Sequence, residues 1–128
     1  CPAEYRDLYA TALDCFLALE RSLKPGVMSA ELYAVGSEII GNAGFSELRL
    51  SKFGYSLGVA FSPGWGEAGA FDIDPHSQTP VAENMVIHLV STLMSPKWGT
   101  VGLSETLEVT EYGCISLTPL ERGLIELN

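Results

Sequence analysis

From Tyr5 to Leu23 apolar side chains return at helical spacing: Tyr5, Leu8, Tyr9, Ala12, Phe16, Leu19 and Leu23. They form one stripe of a 3.6-residue period, and Asp7, Asp14 and Arg21 fall largely off it. This helix has to stop at Lys24-Pro25-Gly26, because the residue before a proline avoids the helical region and glycine allows a tight turn. A second helix is predicted from an N-cap at Ser29, with Leu32, Val35, Ile39 and Ile40 on one face and Gly44 as the glycine that ends it.

After Gly44 the helical period disappears. Phe53 to Phe61 is short, apolar and rich in glycine, and Ser62-Pro63-Gly64-Trp65-Gly66 is a turn cluster. Ala70 to Ile73 reads as a short strand and Asp74 to Pro80 as a loop. Met85 to Leu93 is a mostly apolar run of branched residues, which predicts a buried strand. Val101 to Thr110 alternates, with Val101, Leu103, Leu107 and Val109 apolar and Glu105 and Glu108 between them. Glu111-Tyr112-Gly113 is a turn and Cys114 to Leu117 a closing hairpin strand. Helices first and strands afterwards, without an internal repeat, predict one α+β domain over residues 1–128, two helices packed on an antiparallel sheet.

The size suits that architecture: 128 residues make one domain and are too few for two. Hydrophobic residues at 47% and charged residues at 18% are a globular balance. Seven Lys plus Arg against 16 Asp plus Glu leave a net charge of −9. That argues against nucleic-acid partners, which require clustered cations, and against anionic membrane surfaces. No apolar run reaches the ~18–20 residues that span a bilayer, and no signal-peptide pattern opens the chain. Cys1, Cys15 and Cys114 are too few and too widely spaced for a disulfide framework or a zinc clip. A reducing, cytoplasmic setting is therefore expected, with Cys15 and Cys114 as small buried hydrophobes. A start at Cys1 in place of Met reads as a processed chain or a fragment.

Four motifs then stand in a telling order. Leu23-Lys24-Pro25-Gly26-Val27 precedes a helix that ends in Gly44-Phe45, and Gly54-Tyr55-Ser56-Leu57-Gly58 follows. Next come Glu83-Asn84-Met85-Val86-Ile87 and the run from Leu103 to Gly113, LSETLEVTEYG. This order resembles the second half of the creatinase/aminopeptidase (pita-bread) fold, with its K-P-G-V, G-H-G-I-G, E-G-M-V and I-E-D-T-V-L-V-T-E-D-G segments. The resemblance covers about Tyr5 to Thr118. It implies that the first half of the catalytic domain would precede Cys1.

The resemblance also carries a ligand set. Peptidases of the family hold two metal ions with two Asp, one His and two Glu, and both Asp belong to the half not present. The His position falls on Tyr55, one Glu on Val90 or its neighbour Ser91, and the other Glu on Ser104. A second family His falls on Ser62. Hydroxyl and isopropyl groups do not replace imidazole and carboxylate in such a site, so neither a metal nor another cofactor is expected. The metal-free members, creatinase and ectoine hydrolase, are the types most similar, which implies C–N bond hydrolysis in a small amidine-like or amide substrate. Two other readings remain open: a pseudo-peptidase serving as a binding or dimerisation module, and a true Xaa-Pro metallopeptidase.

In the metal-free reading Glu67, His88 and Glu105 are the catalytic candidates, and Tyr55, Ser56, Trp65 and Ser104 are the substrate-binding ones. Glu67 follows the glycine-rich turn and suits a cationic amidinium or a role as base or nucleophile; a solvated loop charge is its ordinary alternative. His88 interrupts an apolar strand and titrates near neutrality; its alternative is a satisfied core histidine. Ser104 and Glu105 are neighbours on a strand, so one should face the pocket and the other should not. Trp65 offers a cation–π face. His76 reads as an exposed loop residue. The expected partners are a small-molecule substrate and either a second copy of the chain or the upstream half.

Overall fold

The computed structural model of the chain describes residues 1–59, 67 and 69–125. Two helices, α1 (Ala3–Ser22) and α2 (Ser29–Asn42), precede a short 3-10 turn at Ser46–Leu48 and four strands. The strands are β1 (Gly54–Ser56), β2 (Val86–Ser95), β3 (Gly99–Val109) and β4 (Cys114–Ser116), all antiparallel and ordered β1-β2-β3-β4. The α+β expectation holds.

The expected stripe buries α1: Leu8, Ala12, Phe16, Leu19 and Leu23 are in the core together with Cys15, while Tyr5 and Tyr9 pack at its margin. This face lies against β2, β3 and α2. On α2 the buried positions are Ser29, Leu32, Gly36 and Ile40, with Val35 and Ile39 partly buried. Gly36 matters because the ring of Phe53 lies where its side chain would be.

The cap of α2 differs from expectation. Ser29 is already the first helical residue, and Met28 holds the N-cap position, its N–H donating to Glu31 Oε2 at 2.9 Å. The Ser29 hydroxyl donates instead to the Asp72 carbonyl, tying the helix start to the strap beside β1. The C-terminus follows expectation. Gly44 has φ +80°, its N–H reaches the Gly41 carbonyl at 2.9 Å, and the Phe45 N–H reaches Ile40 at 3.0 Å. These two bonds satisfy the last carbonyls of the helix.

Residues 70–73 do not form the predicted strand. Phe71 and Ile73 bond to β1 (Ser56 N–H to the Phe71 carbonyl, 3.0 Å; Ile73 N–H to the Gly54 carbonyl, 2.9 Å), but the pairing is one bridge, Tyr55 to Asp72. It covers the outer edge of β1, which an open sheet would otherwise expose. Strand β2 is also not buried on both sides. Ile87, Leu89, Ser91 and Leu93 face the helices, and Val86, His88, Val90, Thr92 and Met94 face away. Helices of this chain cover one face of the sheet, so the second face is left half-open.

Candidate functional site on the open face of the sheet

The antiparallel register decides which side chains meet on the uncovered face. Tyr55 of β1 is opposite His88 of β2, which is opposite Thr106 of β3. One rung further, Val90 is opposite Ser104, and then Thr92 is opposite Gly102. The alternation of a strand puts all of these on one side. Tyr55 and His88 are in ring contact, centroids 5.5 Å apart and planes inclined by 46°. The His88 Nδ1 is 3.2 Å from Thr106 Oγ1. The imidazole is thus held on two sides, with no hydrogen bond at Nε2 among the described residues. Burial pushes the His88 pKa below its ordinary value, since desolvation disfavours the charged ring. Burial thus favours the neutral imidazole, which Thr106 and Tyr55 flank.

Asp72 extends the same row past Tyr55, but its carboxylate is bound to Lys52 Nζ at 2.6 Å. Glu108 shares the face at its far end, opposite Val86. Between them the face carries hydroxyls, one imidazole and small apolar groups.

The other candidates divide as follows. Ser104 is exposed on this face, whereas Glu105 is buried on the helix side. Glu105 Oε2 accepts from Arg122 Nε at 2.9 Å and Nη2 at 2.5 Å, and Arg122 also bonds both oxygens of Glu20 at 2.6 and 2.8 Å. The structure therefore does not bring Glu105 to His88: strand alternation points it to the opposite layer, where it is committed to an ion pair. Ser56 is likewise turned to the helix side, with its hydroxyl buried and without a partner among the described residues. Glu67 joins Ser56 and not His88. Its N–H donates to the Ser56 carbonyl at 3.1 Å, and its carboxylate covers Gly58 in a cleft shared with Asn84 and Met85. Trp65 and Ser62 lie outside the described residues. His76 is in an exposed loop, its N–H donating to Asp74 Oδ1 at 2.8 Å.

The positions to which the resemblance assigns metal ligands, Tyr55, Val90 and Ser104, do share one face, and the register selects Val90 over Ser91. Their side chains are a phenol, an isopropyl group and a primary hydroxyl. Such a set does not fit a pair of divalent ions, which needs imidazole and carboxylate donors. Among the described residues no three His, Cys, Asp or Glu side chains converge.

Thr106 and Arg122 were missed by the sequence reading. Thr106 was within reach, being two residues from Ser104 on a strand and hence on its face. Arg122 had no comparable signal, because it follows the last strand and belongs to no periodic segment.

A model of metallopeptidase family M24 matches residues 1–111. The chain belongs to metallopeptidase family M24. It is 28% identical over 120 residues to the Xaa-Pro dipeptidase of Pyrococcus furiosus, covering 94% of this chain and 33% of that protein. It is 27% identical over 122 residues to the putative dipeptidase YkvY of Bacillus subtilis, covering 94% of this chain and 31% of that protein. The chain thus spans about a third of the length of these curated relatives.

Solved M24 structures superpose well. The prolidase from Pyrococcus furiosus matches with a TM-score of 0.83 at 26% identity, covering 94% of this chain and 34% of that one. The prolidase from Pyrococcus horikoshii OT3 matches with a TM-score of 0.85 at 27% identity, covering 98% and 35%. The family and the pita-bread fold expected from the four motifs are thereby established. Among the described residues no helix is long and apolar enough to cross a membrane.

Proposed function

We propose that this chain is the C-terminal part of the catalytic domain of an M24-family hydrolase that cleaves a C–N bond in a small amide or amidine-like substrate, without a metal ion bound through this part. One observation carries the reading: the three ligand positions share a face with His88 and Thr106, and none of the three is an imidazole or a carboxylate. With no metal to activate water, proton transfer falls to a side chain. His88 suits it, being neutral, oriented by Thr106 and flanked by Tyr55. Tyr55, Ser104 and Thr106 supply hydroxyls to hold the substrate's polar atoms. Glu67, in its own cleft with Ser56, is a carboxylate suited to a cationic end of the substrate and is expected to act on KM more than on kcat.

The second reading is an Xaa-Pro metallopeptidase, favoured by the 28% identity to the Xaa-Pro dipeptidase of Pyrococcus furiosus. One experiment separates the two. The complete gene product, purified without chelator, is assayed on Xaa-Pro dipeptides and on ectoine and creatine, with added Mn or with EDTA. Turnover of an amidine or amide that EDTA leaves intact, and that His88→Gln lowers by ~10²-fold or more, is the expected result. Xaa-Pro cleavage that requires Mn sinks the metal-free reading. No turnover under any condition favours a binding module.

A further inference from the structure

Arg122 lies beyond the last strand and beyond the part of the chain that the family model matches. Its guanidinium nevertheless joins two elements of the core, bonding both oxygens of Glu20 on α1 and Oε2 of Glu105 on β3, with the Phe16 ring 4.7 Å beneath it. Glu105 is the exception in the helix-facing row of β3, where Val101, Leu107 and Val109 are fully apolar. A carboxylate buried in such a row requires a counter-charge. The partner that supplies it is 17 residues further along the chain. Glu105 Oε1 has no partner among the described residues, so Arg122 is what fixes this side chain.

Ser104 and Thr106 flank Glu105 and emerge on the opposite, open face. Holding Glu105 from below therefore holds these two hydroxyls from above, and Thr106 in turn holds His88 Nδ1. We propose that Arg122 is a positioning residue: acting through Glu105, it sets where the Ser104 and Thr106 hydroxyls stand, and with them the imidazole of His88. The functional weight of this role rests on the reading of the open face as the reactive surface. The geometry needs a forked, two-sided donor, which guanidinium provides and an ammonium does not.

The test uses the full chain without substrate, followed by NMR under native conditions. In Arg122→Gln, amide exchange at Ser104, Glu105 and Thr106 is expected to speed up by ~10-fold or more. The ring signals of His88 and Tyr55 should shift, while the amides of α2 stay as they were. Arg122→Lys should recover these signals only in part. Glu105→Leu combined with Arg122→Gln replaces the buried charge by an apolar side chain and should bring exchange and ring signals back toward the parent. Should Arg122→Gln fail to fold, Glu105→Gln reads the same coupling. Unmoved His88 and Thr106 signals in Arg122→Gln overturn the proposal, as does a double variant no different from the single one. Turnover of the complete enzyme is read separately: shifted signals with unchanged turnover support the positioning and count against the open face as the reactive surface.

Discussion

His88 is held by a threonine hydroxyl on one side and a phenol ring on the other, and burial lowers its pKa. The neutral ring is therefore favoured in the folded state, relative to an unfolded histidine near 6.5. The stability this confers is present above the unfolded pKa and is lost as pH falls through the lower, folded value. Denaturation midpoints measured across that window should fall with pH in the parent and be flatter in His88→Gln. An NMR midpoint for His88 at or above 6.5, the ordinary value of histidine, would contradict the burial argument. Legibility at this scale was mixed, and the reason is geometric. The residue types Tyr55, His88 and Ser104 were recognisable, and the opposite orientations of Ser104 and Glu105 follow from strand alternation. The opposite faces of Tyr55 and Ser56 follow from the same alternation, whereas the place of Glu67 beside Ser56 was not legible, because no periodicity relates a loop residue to a strand face.

Elements were more legible than residues, since they follow from apolar spacing and from turn residues. Both helices and the long hairpin of β2 and β3 lie close to their expected bounds. The exceptions have local causes: Glu31 reaches back to the Met28 N–H and displaces Ser29 from the cap, and residues 70–73 borrow their bonds from β1 without adding a regular ladder. A tight joint lies at Gly36 of α2, where an added Cβ would meet three atoms of the Phe53 ring at 2.8 to 3.0 Å. Phe53 is buried and leads into β1, so its ring cannot swing aside cheaply. Gly36→Ala should cost about 1–3 kcal/mol, the usual range for overpacking, even though alanine favours the helix by ~1 kcal/mol. Urea denaturation decides it: an unchanged or raised midpoint would show that the ring has room to move.

For the whole molecule, the decisive feature is a sheet that the described residues cover on one face only, in a chain about a third as long as its relatives. Met94 on the open face is 54% exposed, and Leu120 and Ile125 after β4 are 80% and 83% exposed. Apolar area of this kind seeks a partner, so the 128-residue chain by itself should self-associate. Sedimentation velocity at micromolar concentration checks this, and a clean monomer would count against it. Under the proposed function, Tyr55, Val90 and Ser104 leave this face without imidazole or carboxylate donors for a metal in the complete gene product as well. Metal content, measured by elemental analysis on complete protein purified without chelator, tests that most directly. The expected result is no stoichiometric Mn, Co or Zn; one or more of these ions per chain, removed by EDTA together with the activity, would contradict it.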